Sequence, residues 1–263
     1  MEKFPETVKA IQRQTKPNIY TLIINAQNIE DFRTNLFKIC TDEIARRTIG
    51  QSDVSDWYFY RKGVITATLT KRICYFMETF AGLELKKREK KRRKINFSIS
   101  KIEEQQLFFP AVIYGRQSED TALDSFWESF CLTHQHVIIE RVGLRLHESR
   151  ILGGSVDAVL WCSCCKPRII EVKCPFRLKH ESIQRNWECL EYLSENGELK
   201  ENHAYYFQIQ TYLGLYQYDE AVLIIWSRID HIQIRVPFNK SVWDKILTNS
   251  TDYYFNYYLK SFF

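Results

Sequence analysis

At residue 136 the periodicity of this chain changes, and that change limits the fold more than any other feature. Before it, apolar residues recur at helical spacing: Ile29, Phe32, Leu36 and Ile39 share one face, and Ala122, Phe126 and Phe130 another. After it, the run HVIIERVGLRL (136–146) is rich in β-branched residues and alternates, which predicts a strand. Residues 157–162 and 168–174 predict two more strands, and the five residues between them (163–167) suit a hairpin loop. A helix over 203–218 follows, then a buried strand over 221–227 and its hairpin neighbour over 231–237. The tail from Ser241 is helical and aromatic. Helices, then a central sheet, then a helix and further strands predict an α/β (α+β) fold, a mixed sheet flanked by helices.

The first half reads more coarsely. An apolar run covers 19–25, and a helix starts near Asn28. After a break at residues 50–53, the segment SDWYFYRKGVITATLTKRICYFME predicts a helix, a turn at Gly63 and a second helix from about Thr66. Residues 187–199 suggest a helix ending at Asn196-Gly197, or a loop with a helical turn. Nine glycines and six prolines in 263 residues leave little room for long disordered segments. Residues 1–50 are expected to be an N-terminal helical extension and 51–263 the main domain. No window is apolar over the length of a membrane span, and MEKFPETVKAIQRQ lacks a signal-peptide core, so an intracellular protein is expected.

The net charge of +5 is unevenly placed. Lys86, Lys87, Arg88, Lys90, Lys91, Arg92, Arg93 and Lys94 surround a single glutamate in nine residues. Such a run attracts a phosphate backbone through counterion release and equally suits a nuclear-import signal or a solvated surface. Eight cysteines include the cluster Cys162, Cys164 and Cys165. No second Cys/His pair stands at zinc-finger spacing, so reduced structural thiols are expected there.

The residues that point to chemistry are Asp157, Glu171 and Lys173. Residues two apart on a strand face the same way, so Glu171 and Lys173 share a face while Val172 turns into the core. A hairpin brings Asp157, at the start of the neighbouring strand, toward Glu171. Two converging carboxylates repel each other and are costly to desolvate. A divalent cation resolves that, and oxygen-only ligands favour magnesium or manganese. An isolated Glu-x-Lys triplet is common, and an exposed ion pair is its ordinary reading. The apolar Ile169-Ile170 before it, the Gly-Gly-Ser turn before Asp157 and the Cys174-Pro175 stop make the context specific.

With those residues in place, GGSVDAVL…IIEVKCPF resembles the metal-binding core of the PD-(D/E)xK nucleases, and more specifically the lambda exonuclease and YqaJ-type viral recombinase family. Trp57, Arg61, Gly63, Val64, Ile65, Thr66, Ala67 and Thr68 match that family's W-x-x-x-R-x-G-V-I-T-A-S block. The resemblance implies that Arg61 and Thr68 bind the substrate's 5′-phosphate, an arginine fork plus a hydroxyl near a helix start being a reasonable anion site. Gly115 to Glu119 resembles a G-x-x-x-E helix, which makes Glu119 a candidate metal ligand. Tyr205 to Gln210 resembles the Y-x-x-Q-x-Q helix that closes the site. Gln208 and Gln210 point about 200° apart on a helix, so only one faces the metals; the resemblance selects Gln208. Val156 and Ala158 stand where the family usually has proline and glycine. The matching blocks span residues 57 to about 216.

The resemblance implies a restriction-endonuclease-like core and a Mg2+-dependent nuclease, with Mn2+ as a substitute. Two ions would be held by Asp157, Glu171, Glu119 and the backbone carbonyl of Val172. It implies 5′-to-3′ digestion of linear double-stranded DNA to single-stranded tails, a homotrimer, and a single-strand annealing or ssDNA-binding partner. A nuclear or viral-replication location goes with the basic run. Two alternatives stay open: an endonuclease of the same fold acting on RNA or branched DNA, and a catalytically weak DNA-binding clamp.

Overall fold

The computed structural model describes residues 16–100 and 109–263. The N-terminal segment (1–15) and the end of the polar stretch after the basic run (101–108) lie outside the described residues. Three helices lead: α1 (Ile19–Asn25), α2 (Ile29–Leu36) and α3 (Thr41–Arg47). The apolar run at 19–25 is thus helical, capped by Asn18, whose side chain accepts from the Thr21 amide at 2.7 Å. Asn28 caps α2 in the same way through Asp31. There follow α4 (Ser55–Arg61), β1 (Ile65–Thr66), α5 (Thr70–Thr79) and α6 (Leu85–Ser100). The second half runs α7 (Pro110–Cys131), β2 (Ile138–Glu140), β3 (Arg145–Leu146), β4 (Leu152–Gly154), β5 (Ala158–Cys162) and β6 (Cys165–Lys173). It closes with α8 (Ile183–Asn186), α9 (Ala204–Tyr216), β7 (Glu220–Trp226), β8 (His231–Pro237) and α10 (Lys240–Tyr253), which widens into a π-helical turn (Tyr254–Tyr258) and ends in a 3-10 turn (Leu259–Ser261).

The strands form a mixed five-stranded sheet in the order β2-β5-β6-β7-β8 and a small sheet in the order β1-β4-β3. β6 and β7 pair in parallel, with α9 in the crossover between them; the other pairs of the large sheet are antiparallel. Central strands covered on both faces read as continuous apolar runs, which is why IIEV and AVLIIW do not alternate in polarity. One face, carrying Ala158, Leu160, Ile170, Val172 and Ile224, packs against Ala122, Phe126 and Phe130 of α7. The other, carrying Val159, Ile169, Leu223 and Ile225, packs against Ile209, Tyr212 and Leu213 of α9. A further core joins Ile19, Ile23, Phe32 and Leu36 to Phe76, Tyr253, Tyr254 and Tyr258, so α1 and α2 share one core with α5 and the C-terminal helix.

Three expectations change. The single strand over 136–146 is two strands in different sheets, because the backbone turns against α3. A Cβ on Gly143 would lie 1.9 Å from the Ala45 carbonyl, and the Leu144 amide donates to Thr48 Oγ1 at 2.7 Å. The hairpin loop is two residues long rather than five: Cys162 pairs with Cys165, and one extra β6 residue forms a bulge that admits Pro167. Residues 187–199 hold only a short helical turn and an isolated Leu193–Leu199 bridge. Among the described residues no helix is long and apolar enough to cross a membrane.

Candidate active site

β6 stops at Lys173, where Pro175 disfavours continuation of the regular backbone through Cys174. Glu171 and Lys173 face α9 just before that stop. Glu171 is only 2 % exposed. Its Oε1 accepts from Lys173 Nζ and, at 2.8 Å, from Gln208 Nε2, which also donates to the Tyr212 hydroxyl at 2.8 Å. Its Oε2 is buried without a hydrogen-bond partner among the described residues. Such an orphaned carboxylate oxygen is expensive unless a ligand supplies the missing charge.

Asp157 arrives from the antiparallel neighbour. Its Oδ2 accepts from the Val172 amide at 2.7 Å, and β5 begins one residue later. The N–H and C=O of a strand residue lean to the same side, so the Val172 carbonyl faces this edge too. Glu119 reaches the site from α7 and is held by Arg141, whose Nη1 donates to Glu119 Oε1 and, at 3.1 Å, to the Asp157 carbonyl. The other terminal nitrogen of Arg141 donates to Asp120. A cleft of about 380 Å³ opens over Glu119, Asp157 and Lys173.

The electrostatics follow from that crowding. Burial and the charge of Glu171 push the Asp157 carboxyl up to about 7. Burial and Asp157 raise Glu119 to about 7, against the pull of Arg141. Glu171 is raised by burial, opposed by Lys173. Burial alone would lower Lys173, but Glu171 and Asp157 outweigh it and lift the ammonium above the ordinary lysine value. Three carboxylates that hold protons too tightly around one orphan oxygen suit a hard divalent cation, with oxygen donors from Asp157, Glu171 and Glu119.

The upstream block lies against the same site. Trp57 Nε1 donates to Ser155 Oγ at 2.9 Å, two residues before Asp157, and the Arg61 guanidinium stacks 3.7 Å over the Trp57 ring. Burial draws Arg61 down to about 10; no carboxylate pairs with it among the described residues, and its Nε is buried without a partner. The Tyr212 hydroxyl lies within the field of both Arg61 and Glu171. A Cβ on Gly154 would meet the Tyr212 ring at 2.5 Å, so only glycine lets β4 approach α9 this closely. Thr68 is exposed in a 3-10 turn (Ala67–Leu69), its hydroxyl 3.1 Å from that of Thr66.

The predicted residues therefore divide. Asp157, Glu171, Lys173, Glu119 and Gln208 converge, and Arg61 sits beside them. Gln210 points away and bridges the Pro237 carbonyl and the Asn239 amide, both at 2.8 Å. The basic run is helical: Lys86, Lys87, Lys90, Arg93 and Lys94 are exposed on α6 at spacings that place them along one side. Arg88, Lys91 and Arg92 lie lower, on Phe80, Tyr75 and Glu89. The far end of α6 touches the upstream block, the Ile99 carbonyl accepting from the Gly63 amide at 2.9 Å. Sequence reasoning does not find Arg141 or Tyr212, while Tyr205, the first residue of the Y-x-x-Q-x-Q block, has Lys173 Nζ 4.7 Å from its ring centroid.

Residues 56–219 match the YqaJ-like viral recombinase domain, well over half of the chain. The chain belongs to this family. In fold it is similar to the alkaline exonuclease LHK-Exo from Laribacter hongkongensis, with a TM-score of 0.56 at 16 % identity, covering 79 % of this chain and 93 % of that one. It is similar also to the Shutoff and Exonuclease Protein from Kaposi's sarcoma-associated herpesvirus, with a TM-score of 0.52 at 11 % identity, over 94 % of this chain and 75 % of that one. None of the proteins of curated function matches the chain in sequence. The YqaJ-like domain here thus has the restriction-endonuclease-like fold of the alkaline exonucleases, as the motif blocks implied.

Proposed function

We propose that the chain is a Mg2+-dependent deoxyribonuclease that digests linear double-stranded DNA from its 5′ ends and leaves single-stranded tails for recombination or viral DNA processing. One observation carries the reading. Glu171 Oε2 is buried and, among the described residues, unpartnered in the midst of Asp157, Glu119 and the Lys173 ammonium. Asp157, Glu171, Glu119 and the Val172 carbonyl would hold Mg2+, or Mn2+ in its place, two ions being the expected number. When bound, the metal polarises the scissile phosphodiester and makes water a better nucleophile at neutral pH.

The chain's own groups supply the rest. Lys173 is held on Glu171 and over Tyr205, where its ammonium orients water and offsets charge developing on the phosphate. Gln208 fixes Glu171 Oε1, leaving Oε2 for the ligand. Arg141 keeps Glu119 and the Asp157 backbone in register. Arg61, a cation without an acidic partner among the described residues, takes the terminal 5′-phosphate with Thr68. The exposed side of α6 tracks the duplex backbone. A ring of three copies, a single-strand annealing or ssDNA-binding partner, and a nuclear or viral-replication location are consistent with this reading and belong to it as proposals.

Among the structural neighbours, LHK-Exo has been seen with dAMP, and SOX both with DNA and with RNA. The RNA complex is the reason to keep endonucleolytic RNA cleavage as a second reading. Incubation with Mg2+ and matched linear duplex, closed circular duplex and structured RNA separates the two. Release of nucleotides from the linear duplex alone supports the exonuclease. Cutting of the circle or the RNA at comparable rates supports the second reading and refutes the first.

A further inference from the structure

The hairpin that carries Asp157 and Glu171 at one end carries a cluster of thiols at the other. A two-residue turn, Ser163 and Cys164, sets Cys162 opposite Cys165. The loop after α7 brings His134 over that turn, its ring stacked on Phe130 with centroids 3.7 Å apart and planes 1° from parallel. His134 Nδ1 lies 3.3 Å from Cys164 Sγ, 3.5 Å from Cys165 Sγ and 3.9 Å from Cys162 Sγ. The Cys162–Cys164 and Cys164–Cys165 sulfur separations are 3.6 and 4.0 Å, and all four donor atoms lie within 4.8 Å of one another.

Five of the six separations between these donor atoms are close to the edges of a coordination tetrahedron. Zinc bonds of about 2.3 Å to sulfur and about 2.0 Å to nitrogen place sulfur atoms roughly 3.8 Å apart, and nitrogen roughly 3.5 Å from sulfur. Two contacts that do not involve the thiols tie the turn to the loop after α7. Ser163 N–H donates to the Gln135 carbonyl at 3.0 Å, and His136 Nδ1 lies 3.2 Å from Ser163 Oγ. All eight cysteines are free thiols, so no disulfide competes for these sulfurs. Thiolate and imidazole donors select zinc over magnesium, which separates this cluster chemically from the carboxylate site.

We propose that His134, Cys162, Cys164 and Cys165 form a Cys3His zinc site. With four protein ligands the site is closed, and its role is structural. It fastens the C-terminal end of α7, the helix that carries Glu119, to the end of the hairpin remote from Asp157 and Glu171.

The test uses the full chain, purified under reducing conditions without chelator, and elemental analysis of its metal. One zinc per chain is expected, and Co2+ substitution should give the intense thiolate-to-cobalt and tetrahedral absorption bands. Cys164→Ser with Cys165→Ser should lose the zinc equivalent, while Cys40→Ser and Cys189→Ser keep it. His134→Ala should weaken zinc binding by about tenfold or more, measured against a chromophoric chelator. The proposal is overturned if reduced wild type binds no zinc in that titration, or if the double variant retains the full equivalent. A Cys162–Cys164 disulfide in freshly purified chain, found by mass spectrometry and persisting with zinc present, also overturns it. The cobalt spectrum is read on the wild type, so misfolding of a variant cannot decide the outcome.

Discussion

The Val172 amide donates to Asp157 Oδ2 at 2.7 Å, and this bond ties the residue that precedes β5 to β6 beside the buried Glu171. It fixes one oxygen of Asp157, while burial first and then the charge of Glu171 make ionisation costly. The site is therefore assembled by backbone pairing and destabilised by its own carboxylates.

That cost gives a pH signature in the metal-free chain. Asp157 and Glu119 are each raised to about 7 from ordinary values near 4. A carboxyl whose pKa is raised on folding adds stability that is fully present below the unfolded value. That stability is lost as pH rises through the folded value. Tm of the metal-free chain should accordingly fall by several degrees between about pH 5.5 and pH 8. Asp157→Asn should flatten the fall and raise Tm at about pH 8, and Mg2+ should restore wild-type stability only at that upper end. Thermal melts with and without chelator check this; a pH-independent difference between wild type and variant would contradict it.

Arg141 pairs with both Glu119 and the Asp157 carbonyl, so removing it should act through position and proton affinity together. Arg141→Met is expected to raise the Glu119 pKa further and to shift the pH–rate profile upward. The rate should drop about 10–100-fold at about pH 7 and recover partly near pH 9. Initial rates across that range provide the check.

Arg61 is predicted to read the end of the substrate. Arg61→Ala should reduce the preference for 5′-phosphorylated over 5′-hydroxyl ends by roughly 10–100-fold, mainly through KM. Trp57→Ala should do part of the same, since the indole supports the guanidinium at 3.7 Å. Equal losses on both kinds of end would refute the assignment.

The exposed side of α6 should contribute without regard to sequence. Neutralising Lys86, Lys87, Lys90, Arg93 and Lys94 should lower the slope of log affinity against log salt by about 0.9 for each phosphate left without a cation. Turnover of bound substrate should stay the same. Binding of catalytically inactive chain to duplex across a salt series measures it.

Much of this architecture is legible in the sequence because it follows from short-range rules. The Glu171–Lys173 relation is the two-residue period of a strand, and the separation of Gln208 from Gln210 is the turn of a helix. Both stand in the fold as the periodicities require, with Gln208 on Glu171 and Gln210 on Pro237. Arg141 escapes such rules because its partners lie 16 to 22 residues away, across the split between β2 and β3 that Gly143 and Thr48 impose. The thiol cluster lacks a second ligand pair at any local spacing for the same reason. Its histidine comes from a loop 28 residues before Cys162 and reaches the turn only through α7 packing. Spacing rules find local pairs; ligands delivered by tertiary packing leave no local pattern.

The most direct measurement of the central claim is single-turnover release of nucleotides from 5′-phosphorylated, end-labelled linear duplex in Mg2+. Wild type is compared with Glu171→Gln and Lys173→Ala. The carboxylate–lysine site predicts Mg2+-dependent release by wild type, a loss of roughly 10²–10⁴-fold in each variant with the fold intact by circular dichroism, and no release from closed circles. Undiminished release by either variant would contradict it.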